Sequence, residues 1–213
     1  MDAELGLRER KKKQTRQAIA ETALRLFNER GFDAVTVAQV ARAADVSEAT
    51  VFNYFPTKES LFFGQMQTFE EALIQAVRER RGGESVLGAF RRFIDEGTEH
   101  LASESTAVAI SMAGRIVGGS PSLRAREREI VSDATDALAL LLAEESGSPP
   151  GDNEPWVVAN ALMGAHRAVV SSVRSEVRAG RRGPALAAAS RSQIERVFAV
   201  LERGLERYGV REG

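Results

Sequence analysis

The chain is expected to adopt an all-α fold of nine helices. Three observations lead there: apolar residues recur every three to four positions, only six prolines interrupt the 213 residues, and no segment alternates apolar and polar residues as a half-buried strand would. With 43% apolar residues the chain can fill a core of its own. The absence of cysteine excludes a disulfide framework, thiolate metal sites and a cysteine nucleophile.

The first helix is expected from about Arg10 to Arg30, with Ile19, Ala23, Leu26 and Phe27 on one face and Gly31 as its stop. Thr36, with Gln39 three residues on, is a capping-box pair opening a short helix striped by Val37, Val40, Ala41 and Ala44. Ser47 is a good N-cap for a third helix, Glu48 to about Phe55, which Pro56 ends. Asp45 and Val46 lie between the two, so helix, tight turn and helix follow one another in the layout of a DNA-reading helix-turn-helix. Thr57 opens a long fourth helix, Lys58 to about Arg80, carrying Leu61, Phe62, Met66, Phe69, Leu73, Ile74 and Val77 toward a core. Five more helical patterns follow at about 84–102, 104–116, 121–146, 153–179 and 184–209, separated by SES, GGSPS, SGSPPGDNE and AGRRGP.

Net charge is −1, so the balance of the whole chain does not mark a nucleic-acid binder, but its distribution is uneven. Residues 1–58 hold 10 Lys and Arg against 8 Asp and Glu, the remainder 19 against 22. Arg8, Arg10, Lys11, Lys12, Lys13 and Arg16 form a basic run opposed only by Glu9. Taken alone such a run is as well explained by a solvated helix face; beside a reading head it suits an arm that follows phosphates or enters the minor groove. The longest apolar stretch, Ala137 to Ala143, is far too short to span a bilayer, and the first residues lack the apolar core of a signal peptide. A soluble, cytoplasmic protein with no membrane partner is therefore expected.

Catalysis finds little support, since no P-loop, dinucleotide glycine pattern, HExxH or G-x-S-x-G element is present. Glu96 and His100 share a helix face at metal-binding spacing, but a third ligand is missing. No catalytic residue, metal or cofactor is expected.

Residues 17–62 closely resemble the DNA-binding region of the TetR family of bacterial regulators. The likeness is carried by the Phe27 to Gly31 helix end, the Thr36 cap, Val46-Ser47, Thr50-Val51, Tyr54-Phe55 and the Pro56-x-Lys58-Glu59-x-Leu61 start of helix four. It implies a nine-helix TetR-type fold: an N-terminal arm and helix-turn-helix domain over 1–57, and a helical ligand-binding and dimerisation domain over 58–213. It further implies a homodimer that places helix three in the major groove of a palindromic double-stranded operator, twice. Thr36, Thr50, Tyr54 and Lys58 match positions that touch phosphates, with Lys11, Lys12 and Lys13 added by their charge. Ser47, Glu48, Ala49, Phe52 and Asn53 are the candidate base readers. Asn53 suits an adenine edge, Glu48 a cytosine amino group, and Ala49 or Phe52 a thymine methyl. Two positions depart from the family pattern. Asp45 stands where glycine is usual and is expected in a left-handed conformation, and Phe52 stands where tyrosine is frequent and lacks its hydroxyl.

The resemblance also implies a small-molecule inducer, whose pocket would lie among helices five to eight. Phe93, Met112, Trp156, Met163 and His166 are the candidate wall residues by type, though Met and aromatic residues on such stripes also serve as plain core. Helices eight and nine are the candidate dimer interface. Helix eight is apolar around much of its circumference, and helix nine carries Ile194, Val197, Phe198, Leu201, Leu205 and Tyr208 on one stripe, with Ala185, Leu186, Ala188 and Ala189 offered for close helix approach. The expected function is that of a repressor released from its operator by an apolar ligand. The alternatives are a helical dimer that binds DNA only through unspecific charge, or an activator.

Overall fold

The structure, a computed structural model, describes residues 2–205. Among them are nine α-helices, one 3-10 turn and no strand. The helices are α1 (Asp2–Arg30), α2 (Val37–Ala43), α3 (Glu48–Tyr54), α4 (Ser60–Arg78), α5 (Val86–Gly97), α6 (Glu104–Gly119), α7 (Pro121–Ser146), α8 (Glu154–Arg178) and α9 (Gly183–Leu205). No helix among the described residues is long and apolar enough to cross a membrane.

Most boundaries fall where caps and breakers put them. Three differ. Helix α1 begins at Asp2, well before the first apolar stripe, because Glu, Leu, Arg and Lys are all good helix formers and need no core to continue a helix already nucleated. The pattern at 84–102 divides after Gly97 into α5 and a 3-10 turn, Thr98–Ala102, where the Thr98 hydroxyl donates to the Asp95 carbonyl at 2.7 Å. In α4 the regular helix starts at Ser60, since Thr57 and Ser60 cap each other: each backbone N–H donates to the other's hydroxyl, at 3.2 and 3.1 Å. That register buries Phe63, while Phe62 is half-buried with its ring edge-on to Phe63. In α9, Ile194 and Phe198 are buried as the stripe requires; the Leu205 side chain and Tyr208 lie outside the described residues.

The chain forms two compact units. The first comprises Met1–Gln67 with Arg115–Glu127. Its core gathers Ile19, Leu26 and Phe27 of α1, Phe32, Val35, Val40, Val51, Phe55 and Leu61, together with Ile116, Val117 and Leu123 from the end of α6 and the start of α7. The Phe27 and Phe32 rings meet at 4.9 Å. Polar contacts join the same segments: the Ser120 hydroxyl donates to the Asp33 carboxylate at 2.8 Å, and Arg115 donates to the Asn28 side chain at 3.3 Å.

The second unit comprises Thr68–Gly114 with Arg128–Gly213. Leu73 and Val77 of α4, Phe90 of α5, Leu138 and Leu142 of α7, Leu162 of α8 and Phe198 of α9 fill its core. Each side chain of this size contributes about 1.5–3 kcal/mol by leaving water. Arg80 is buried here as well, held by Glu145 and by the Val77 carbonyl.

Candidate nucleic-acid interface

Two short helices owe their existence to caps and to the core beneath them. Thr36 accepts from the Gln39 amide at 3.2 Å while its own amide donates to the Gln39 side chain at 2.9 Å, closing the expected capping box on α2. Ser47 caps α3 by accepting from the Thr50 amide at 3.0 Å, and the two hydroxyls share a hydrogen bond at 2.8 Å. Between them Asp45 has φ 54°, the left-handed turn expected of it.

With α3 held this way, its side chains divide sharply. Val51 and Phe55 are buried. Ser47, Glu48, Ala49 and Asn53 are exposed, and Phe52, 47% exposed, stands among them. Residues 48, 49, 52 and 53 share one helix face by their spacing, so the structure brings the candidate base readers together on a single ridge. Thr50 and Tyr54 are half-buried at its flanks, and Thr36 is exposed at the start of α2.

The ridge carries Glu48 and no cation, so positive charge must come from its surroundings. Lys58 is half-buried with its ammonium 4.2 Å from the centre of the Phe32 ring, an electrostatically favourable seat. Burial lowers its pKa from the usual value, against the opposing charges of Asp33 and Glu59. Lys11, Lys12 and Lys13 are exposed on α1, so this run belongs to a helix and not to an extended arm. The Arg8 side chain lies outside the described residues. Arg16 lies over the Phe55 ring, 5.3 Å from its centre, which ties α1 to the end of α3; nothing in the local pattern of either segment signals that contact.

The candidate ligand residues all fall in the second unit. Phe93 and His166 are drawn into one cluster by Phe69, whose ring lies 5.1 Å from Phe93 and stacks on His166 at 5.5 Å. Met163 is buried one turn before His166 on α8. Met112 is half-buried on α6, and Trp156, 54% exposed, lies almost three turns before His166. The residue that sequence reasoning passed over is Glu70, 3% exposed, beside Phe69. Its signal was available: 66, 70, 73 and 77 continue the apolar stripe of α4, which puts a carboxylate on the core side.

Residues 19–64 match the sequence model described as "Bacterial regulatory proteins, tetR family". The HTH-type transcriptional regulator TcmR of Streptomyces glaucescens is 31% identical over 147 residues, 67% of this chain and 65% of TcmR. The chain belongs to the tetR family. Among solved structures of this tetR-family fold, the SmeT–triclosan complex superposes with TM-score 0.58 at 16% identity, covering 88% of this chain and 91% of SmeT. FadR from Bacillus subtilis, in complex with stearoyl-CoA, superposes with TM-score 0.51 at 23% identity, covering 86% and 97%. At such identities the likeness is one of fold. Within the tetR family this member combines Asp45 at the turn with Phe52 on the ridge, and the geometry shows how both are accommodated: the turn is left-handed and the ring is exposed.

Proposed function

We propose that this tetR-family protein is a transcriptional repressor, not an enzyme, which binds a palindromic double-stranded operator as a homodimer and leaves it when a small ligand with an apolar body occupies the second unit. The observation that carries the reading is the exposed ridge of Ser47, Glu48, Ala49, Phe52 and Asn53 opposite the buried Val51 and Phe55. An exposed Phe beside an Asn on a firmly anchored seven-residue helix serves no core, and it suits base edges. The naming of TcmR as a transcriptional regulator agrees with this, and the triclosan and stearoyl-CoA held by SmeT and FadR favour a ligand-responsive relative.

In the proposed complex Thr36, Thr50, Tyr54, Lys58 and Lys11 to Lys13 position the head on phosphates, and the ridge on α3 selects the sequence. Dimerisation is assigned to α8 and α9, which keep Trp156, Val157 and Val200 exposed together with small residues at Ala168, Ala185, Ala188 and Ala199. A cytoplasmic setting belongs to the same reading, because that is where an operator is reached. Helices α4, α6 and α7 each contribute residues to both units, so a ligand that displaces α4 acts on the segment carrying Leu61 of the DNA-binding core. Coupling of this kind is reciprocal: operator must weaken ligand binding by the factor by which ligand weakens operator binding.

Selection from a randomised duplex pool at fixed salt tests the reading. A palindromic site held about 10³-fold or more over random DNA is expected; a pool from which no sequence is enriched contradicts it.

A further inference from the structure

The second unit holds a polar cluster that its own side chains leave incomplete. Both carboxylate oxygens of Glu70 and the Nδ1 atom of His166 are buried with no hydrogen-bond partner among the described residues. The two side chains face each other, His166 Nε2 lying 3.6 Å from Glu70 Oε1, a separation that permits attraction but is too long for a good hydrogen bond. Phe69 stacks on His166 and meets Phe93, Met163 is buried one turn before His166, and none of these side chains offers a donor. Withdrawing a carboxylate from water without a donor is strongly disfavoured, and an apolar residue at position 70 would continue the stripe without that penalty.

Every free group in the cluster is electron-rich. Carboxylate oxygens only accept; an imidazole whose Nε2–H points at Glu70 presents Nδ1 as a further acceptor; and the Phe69 and Phe93 rings offer faces that attract positive charge. An anion would meet repulsion there, and a neutral hydrocarbon would leave the oxygens unpaired. We infer that Glu70, His166, Phe69 and Phe93 form the recognition end of the effector site, and that the site takes an organic cation: an aryl- or alkyl-substituted amine or amidine whose N–H groups reach Glu70 while its apolar body lies along Phe93 and Met163. This rests on the effector reading above and narrows its ligand from apolar to apolar with a positive head.

The test is calorimetric titration of the full chain, without DNA, with three probes of one shape: 4-phenylbutylamine, 4-phenylbutan-1-ol and 4-phenylbutyrate. The amine is expected to bind about tenfold or more tighter than the alcohol, with the carboxylate weakest. Glu70→Gln should abolish the preference for the amine over the alcohol. Phe93→Leu, at a half-buried position, should weaken the amine more than the alcohol and serves if the Glu70 variant does not fold. Equal binding of amine and alcohol, preference for the carboxylate, an amine preference that survives Glu70→Gln, or no amine binding up to millimolar concentration would each overturn the inference. Amine binding that follows the expected order but leaves operator affinity untouched would support the cation site and count against the effector reading.

Discussion

Asn53 and Phe52 stand side by side on the exposed face of α3, yet as base readers they would make different demands of DNA. Asn53 offers a paired donor and acceptor, so Asn53→Ala should relax discrimination at one base position by about 1–3 kcal/mol and leave the rest of the site unchanged. Repeating the randomised-pool selection with the variant checks this, and an unaltered site would remove Asn53 from the readers. In the proposed complex Lys58 acts through its charge, and its ammonium is seated over the Phe32 ring. Replacing it with Met removes the charge while keeping an unbranched side chain and should weaken all DNA sequences alike, lowering the slope of log affinity against log salt by about one. At Asp45 the demand is on the backbone: with φ at 54°, Asp45→Ala should cost about 1 kcal/mol in chemical denaturation and Asp45→Gly should not.

At the scale of elements, the caps were legible because they are local. Thr36 with Gln39, and Ser47 with Thr50, make their hydrogen bonds within three residues, so spacing alone predicts them. The start of α1 was not legible, since its first turns have no apolar stripe to mark them, and the break at Gly97 was hidden inside a continuous periodicity. The loop before α5 shows how a chain stop can be read through its chemistry. Glu84 hydrogen-bonds to the Arg92 guanidinium and accepts from the Arg81 amide, and these, with Arg92 first, hold its pKa below the usual carboxylate value despite the opposing effect of burial. A carboxylate with a lowered folded pKa contributes stability above its unfolded value, lost as pH falls through the folded one. Glu84→Gln should therefore cost up to about 1 kcal/mol at pH 7 and nothing in acid below both values, as read from urea midpoints.

For the whole molecule, what local pattern could not supply was long-range association. The segment Arg115–Glu127 joins the first unit through Ile116, Val117 and Leu123, and Ser120 finds Asp33 across a large sequence separation, contacts that no periodicity encodes. The same holds for Glu70 and His166, whose meeting depends on how α4 and α8 pack. The ridge on α3 was readable as a set of residues, while its single-faced exposure became evident only with Val51 and Phe55 in place. Association of two copies is the step on which the proposed function rests. Val200→Arg, at a position 73% exposed on α9, should shift the protein toward monomer in sedimentation velocity and reduce operator affinity at the same time. The most direct measurement is the stoichiometry of the full chain on its selected duplex, before and after five base pairs are inserted between the half-sites. Two reading helices held near one helical turn apart, about 34–36 Å, require at least two chains per duplex and loss of tight binding when that half-turn insertion carries one half-site to the opposite face. One chain per duplex, or affinity indifferent to the insertion, would contradict the account.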